Sequence, residues 1–134
     1  MAGYSKTSQA KKLGIKPASS VGLEHAPAGW ALIDAPEDIV YVLAPEPADV
    51  VICFCTAAAQ LPLRMPTLAE RIFPDRSLWL AWPRRAAGHT SDIGGDIIRA
   101  HALKLGIVDV KVAAIDDDWS GQRYVWRREN RARA

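Results

Sequence analysis

The second half of the chain has a pattern of apolar residues that few folds satisfy. Residues 77–82 form an apolar run, and residues 92–105 space their apolar side chains as a helix does. Two further predicted strands, residues 108–115 and 122–126, flank the turn-rich segment 116–121. The order strand, helix, strand, turn, strand predicts the closing half of an α/β sheet that ends in an antiparallel hairpin.

The first half predicts two short helices and three strands. Ser5 is placed to cap a helix over residues 6–13, and Gly14 suits its C-terminal end. The strands are expected at residues 21–25, 39–43 and 49–56, with a brief helix at residues 30–34. Because only residues 44–48 separate the last two strands, these form an antiparallel pair or are joined by a stretched return without a helix.

Two helices on the later part of the chain have recognisable start signals. A helix beginning at residues 57–60 is expected to stop at Pro62 and restart near Pro66, because Thr67 and Glu70 have the spacing of a capping box. The helix at residues 92–105 is expected to be capped by Thr90 or Ser91. Its predicted buried stripe is Ile93, Ile97, Ile98 and Leu105.

Length and composition favour one α/β domain over residues 1–134, with a basic N-terminal helix within residues 1–16 and a basic tail at residues 129–134. Hydrophobic residues make up 49% and charged residues 24%, and no apolar run approaches the roughly 20 residues of a membrane span. The first residues lack the apolar core of a secretory signal. A cytoplasmic location without membrane contact is therefore expected.

The positive charges are concentrated at the two ends of the chain. Where the ends lie close together, they would form a cationic face able to bind nucleic acid, whereas solvated ends that aid solubility are the alternative. The candidate contacts are Lys6, Lys11, Lys12, Lys16, Arg127, Arg128 and Arg131.

No metal site or catalytic constellation is predicted. Cys53 and Cys55 are two apart on a strand, which is typical of core packing and differs from a C-x-x-C pair. The three histidines have no second ligand at metal-binding spacing, and residues 116–118 read as a solvated hairpin turn. Nucleophile-elbow and phosphate-loop motifs are absent from the sequence.

A ligand site is predicted at the carboxyl ends of the strands, where open α/β sheets bind their ligands. Arg84 and Arg85 follow one strand and could clamp an anion, although solvated arginines are the alternative. The crevice would lie between residues 25–29 and 82–91. Its predicted residues are His25, Pro27, Gly29, Trp82, Arg84, Arg85, His89, Thr90 and Ser91.

Short motifs along nearly the whole chain resemble a family of small bacterial proteins of unknown function. They are residues 3–5, 11–17, 82–84, 108–112 and 119–121. A wider similarity is to class I S-adenosylmethionine-dependent methyltransferases, through residues 13–17 before the first strand, residues 49–51 opening a later strand, and the final hairpin. The resemblance implies a single-domain, three-layer Rossmann-like fold with a mixed sheet, reduced by the loss of one strand and its helices.

In that family a glycine-rich turn after the first strand lets the backbone approach the cofactor closely. Residues 25–29 contain Pro27 and only one glycine, Gly29, and no acidic residue ends the strand at residues 39–43. The sequence therefore favours a non-catalytic module that binds a small anionic ligand or a protein partner and holds no cofactor. The alternatives are an S-adenosylmethionine-dependent methyltransferase and a nucleic-acid-associated protein, and the oligomeric state is open.

Overall fold

The computed structural model describes residues 8–132 and shows a single six-stranded sheet flanked by helices. The strands are β1 (Ser20–Glu24), β2 (Val40–Tyr41), β3 (Val50–Phe54), β4 (Ser77–Pro83), β5 (Ile107–Ala114) and β6 (Trp119–Trp126). The α-helices are α1 (Gln9–Leu13), α2 (Leu61–Arg71) and α3 (Gly95–Leu105). Short 3-10 turns occupy Ala58–Gln60, Arg85–Ala87 and Arg128–Asn130.

The strands are arranged in the order β2-β1-β3-β4-β6-β5. The first four are parallel, and β6 inserts between β4 and β5 as an antiparallel strand. This arrangement confirms the predicted mixed α/β sheet with a closing hairpin. Both β2 and β3 pair with β1, so the stretched return without a helix is the correct alternative for the short connection between them.

Helices cover the two faces of the sheet unequally. α2 and α3 bury one face through side chains such as Met65, Leu68 and Ile98. The other face is covered by α1 and by the loop after β1, which contribute Leu13 and Leu32. The short helix predicted at residues 30–34 is wrong, because the amide of Ile33 donates to the Gln9 side chain (2.7 Å) instead of to a helical carbonyl.

The predicted break in α2 is also wrong. The helix continues through Pro62 and Pro66, and Pro62 lies in the first turn, where a missing N–H costs nothing. Thr67 is inside the helix, and its hydroxyl donates to the carbonyl of Arg64 (3.0 Å) rather than capping an end.

α3 begins later than predicted, with Gly94 as its N-cap. Ser91 and Asp92 instead hold the loop after β3, because the Ser91 hydroxyl donates to the Thr56 carbonyl (3.0 Å) and the Asp92 carboxylate accepts from the Ala58 amide (2.7 Å). In the predicted stripe Ile93 and Ile98 are buried, whereas Ile97 is 39% exposed.

α1 begins after Ser8, whose hydroxyl accepts from the Lys11 amide, and ends at Gly14 in the left-handed conformation (φ 81°) as predicted. The predicted start at Ser5 and Lys6 lies outside the described residues. No helix within residues 8–132 has the length and apolar character that a membrane crossing requires.

Candidate functional site

The carboxyl ends of β1, β3 and β4 meet at one edge of the sheet, together with the turn at residues 115–118 that joins β5 to β6. We call this the carboxyl edge. In open α/β sheets the loops at this edge form the ligand crevice. Three loops reach it from the parallel strands: residues 25–39 after β1, residues 55–57 after β3, and residues 84–94 after β4.

The loop after β1 opens with a tight turn, in which the amide of Trp30 donates to the carbonyl of Pro27 (3.0 Å). Gly29 has a φ of +77°, and a Cβ built there would meet nothing within 4 Å. The amides of Ala28 and Gly29 donate to no other group within residues 8–132. The turn therefore has open space and free donors, contrary to the crowding expected from Pro27 and a single glycine.

Aromatic rings fix this loop against the sheet. The ring of Phe54, the last residue of β3, lies edge-on between Trp30 (4.9 Å between centroids) and Trp119 (5.0 Å). The indole N–H of Trp30 donates to the carboxylate of Asp116 (2.8 Å), which also accepts from the Asp118 and Trp119 amides. Asp116 thus connects the loop after β1 to the β5–β6 turn and is more than a solvated turn residue.

Arg71, the last residue of α2, holds the neighbouring part of the carboxyl edge in place. Its side chain is 2% exposed and forms an ion pair with Glu24 at the end of β1 (3.0 Å). It also donates to the carbonyls of Val42 (3.0 Å) and Glu46 (2.6 Å) in the segment after β2. Gly22 makes room for it, since a Cβ there would lie 2.6 Å from the guanidinium. A single buried cation therefore holds β1 and the segment after β2 together.

A thiol with altered acidity lies at the end of β3. The Cys53 and Cys55 sulfurs are 3.9 Å apart, and Arg64 contacts the Cys55 sulfur at 3.6 Å. The hydrogen bond from Cys53, aided by Arg64, lowers the pKa of Cys55 to about 7. The same contact, with burial, raises the pKa of Cys53, so Cys53 is the proton donor of the pair. Both thiols are buried, as core packing predicts.

A cleft of about 430 Å³ opens beside the end of β4. It is lined by Trp82, Arg85 and residues 92–97, so Gly94 and Gly95 form part of its wall. Arg84 points elsewhere, toward the carbonyl of Asp117 (3.4 Å). His89 pairs with Asp118 at the surface (2.9 Å).

The structure brings together only part of the predicted crevice. Trp82 and Arg85 share the cleft, whereas His25, Pro27 and Gly29 lie after β1, with β3 between β1 and β4. Arg84 and Arg85 do not converge as a clamp, because the 3-10 turn at Arg85–Ala87 sends them in different directions. Thr90 is exposed and Ser91 braces the loop after β3. The role of the predicted crevice residues in binding a ligand stays a prediction.

Sequence reasoning missed Arg71, Glu24, Arg64 and Asp116. A glycine in the middle of a strand, Gly22, was the available signal for a close approach by another group. Nothing in the sequence indicated that Arg71 would be that group.

The proposed nucleic-acid contacts lie in two places. Lys11 and Lys16 are exposed at α1 and the loop after it, whereas the Lys12 ammonium donates to the carbonyl of Ala114 (3.1 Å). Arg127, Arg128 and Arg131 follow β6 at the opposite edge of the sheet from residues 115–118. Lys6 lies outside the described residues.

Several solved structures match this architecture. One is the magnesium protoporphyrin IX methyltransferase (ChlM) from Synechocystis PCC 6803 with bound SAH, at a TM-score of 0.50 and 14% identity over 69% of this chain and 53% of that chain. Another is the fibrillarin pre-rRNA processing protein of Methanococcus jannaschii, at a TM-score of 0.51 and 18% identity over 91% of this chain and 74% of that chain. This chain has a methyltransferase-like fold. It spans about half the length of the first relative.

No family model and no curated protein matches the chain. The expectation of a non-catalytic module without a cofactor is wrong, because the solved structures that share the fold include a methyltransferase with bound SAH. Identities of 14% and 18% establish the fold alone, so the activity and cofactor of this chain are a matter for proposal.

Proposed function

We propose that the chain binds S-adenosylmethionine at the carboxyl edge and acts as a methyltransferase. The observation that carries the proposal is the open turn after β1. It combines a positive-φ glycine, empty space beside that glycine and free amides, at the edge where this fold binds its ligands. The likeness to a methyltransferase with bound SAH supports the same assignment.

The residues of the turn fit such a cofactor at the backbone level. The amides of Ala28 and Gly29 would hold it, and Gly29 allows its close approach. The bound cofactor supplies a methyl group on a positively charged sulfur, which a nucleophilic acceptor can attack. Glu24 is not free to grip it as a second anchor, because its carboxylate is paired with Arg71. Glu24 and Arg71 instead set the position of the turn.

The cleft beside β4 is the candidate acceptor site. Arg85 gives it one cation for an anionic acceptor, and Gly94 and Gly95 keep its wall free of side chains. Methyl transfer requires mainly that the acceptor be held in line with the reacting methyl group, so the lack of a catalytic constellation is compatible with this activity.

Calorimetric titration with S-adenosylmethionine and S-adenosylhomocysteine tests the proposal. We expect both to bind the wild type, and Gly29→Val to weaken binding at least about tenfold, because a branched side chain would fill the open space. Gly88→Val is the matched control. Gly88 also has a positive φ (+88°) with nothing within 4 Å, so it suffers the same backbone strain away from the turn.

Absence of binding by the wild type would contradict the proposal. Equal loss of affinity in the two glycine variants would also contradict it, since general strain would then explain the result.

Several finer statements stay predictions alongside this proposal: a bacterial origin, a cytoplasmic location, one domain over residues 1–134, a protein or nucleic-acid partner, and the oligomeric state.

A further inference from the structure

A second groove, of about 330 Å³, lies at the edge of the sheet opposite the carboxyl edge. Its walls are the loop between α1 and β1, the starts of β3 and β4, and one residue of β6, Arg123. Because parallel strands run between the two edges, this groove is separated from the proposed cofactor site by the length of the strands.

Arg123 is an unusual residue for such a position. Its Nε atom is fully buried and has no hydrogen-bond partner among the described residues. No ion pair with another described residue involves its guanidinium, one end of which packs toward Gly14. The residue as a whole is only half-buried and lines the groove, so its guanidinium is a cation with one unmet hydrogen-bond donor and no counter-ion among the described residues. An anion in the groove would neutralise the charge of this guanidinium.

The other charges of the groove favour an anion. Lys16 is exposed at its rim, and within residues 8–132 the Arg76 side chain donates one hydrogen bond, to the carbonyl of Phe73 (2.7 Å). Asp49 also lines the groove, but its carboxylate already accepts from the Ser20 amide (2.9 Å). With Asp75 included, three cations face two carboxylates, so the lining carries one excess positive charge.

We propose that this groove binds a phosphate group, with Arg123 as its principal contact and Lys16 as its second. The planar guanidinium matches two phosphate oxygens at once, and a lysine ammonium adds a point charge. Nothing in this proposal depends on the methyltransferase assignment, because the two sites are at opposite edges.

Titration of the full chain with ribose 5-phosphate and with inorganic phosphate, at constant ionic strength, tests the site. Arg123→Met should weaken binding of both at least about tenfold, as expected for losing a charged hydrogen-bond donor. Arg123→Lys should retain part of the affinity. The control Lys104→Met, at an exposed lysine of α3 outside the groove, should stay within about twofold of the wild type.

Thermal unfolding gives a second readout. In chloride, Arg123→Met should melt no lower than the wild type, because it removes a buried Nε donor that has no partner among the described residues. In phosphate only the wild type should gain stability. Should Arg123→Met fail to fold, Lys16→Gln replaces it, with a smaller loss of phosphate affinity expected.

A short single-stranded RNA distinguishes the source of the phosphate. Salt-sensitive RNA binding that Arg123→Met abolishes indicates a nucleic-acid backbone, and phosphate binding without RNA binding indicates a free phosphorylated molecule. Phosphate affinity that is the same in the wild type and Arg123→Met, or stabilisation by chloride equal to that by phosphate, would overturn the proposal.

Discussion

At the scale of single residues, Arg71 determines the shape of the carboxyl edge more than any predicted site residue does. Replacing it with methionine would leave the Glu24 carboxylate and two backbone carbonyls without their donor. We expect Arg71→Met to lower the free energy of unfolding by about 3 kcal/mol, the cost of breaking a buried ion pair. Urea unfolding measures this change in the free energy of unfolding. Arg99→Met, which removes two more exposed ion pairs, should lower the free energy of unfolding clearly less than Arg71→Met does.

Gly22 provides an independent test of the same contact. A methyl group at this position would lie 2.6 Å from the Arg71 guanidinium, so Gly22→Ala should destabilise the protein by about 1–3 kcal/mol. Gly94→Ala, where nothing lies within 4 Å, has no steric cost and should lose only the better N-capping of glycine, a smaller effect than that of Gly22→Ala. In the Arg71→Met background the Gly22→Ala penalty should shrink. Additive effects of the two substitutions would show that the residues do not interact.

Cys55 is expected to titrate in the neutral range. Since its pKa is lowered to about 7, thiolate absorbance near 240 nm should rise as the pH increases through that value. Removing one of the groups that stabilise the thiolate, in Arg64→Gln, should move the midpoint toward the ordinary value of 9.0. Cys55→Ser lacks this thiol, so the absorbance change that disappears in this variant belongs to Cys55. A wild-type midpoint at or above 9.0 would contradict the assignment.

At the scale of elements, α1 depends on tertiary contacts, because a helix of five residues is too short to be stable alone. Gln9 is its main polar anchor, donating to the Ile115 carbonyl (2.8 Å) and accepting from the Ile33 amide. Gln9→Ala should lower stability by about 1–2 kcal/mol and speed hydrogen exchange of the Ile33 amide. Lys11→Ala, at an exposed residue of the same helix, should change neither the stability nor the exchange rate of the Ile33 amide. An unchanged exchange rate in Gln9→Ala would contradict this role.

The elements that the sequence predicted well are those decided by local patterns. An apolar run located β4, the turn-rich segment between two predicted strands located the closing hairpin, and Gly14 marked the end of α1. The errors arose where tertiary contacts replaced local ones. Thr67 and Glu70 have capping-box spacing, yet α2 continues through both residues because Leu68 and Met65 pack in the core. The Ile33 amide donates to the Gln9 side chain, so it is not available for a hydrogen bond within the helix predicted at residues 30–34.

At the scale of the whole molecule, the sequence predicted a mixed sheet that ends in an antiparallel hairpin, but it predicted neither the order of the strands nor the geometry of the site. The loop containing Gly29 and the loop containing Arg85 are distant in sequence, and only the packing of β3 between β1 and β4 sets their separation. The steric expectation at Pro27 failed because the turn faces outward. A proline removes one donor, but it does not fill the space beside a glycine two residues away.

The central claim is that an adenosyl cofactor binds over the turn after β1. Amide chemical shifts of the labelled protein, recorded during titration with S-adenosylhomocysteine, test it most directly. We expect the largest shifts at Ala28, Gly29 and Trp30 and at the ends of β1 and β3, with residues of the opposite edge such as Arg76 unchanged. Shifts absent from residues 25–30 at saturating ligand would contradict the claim.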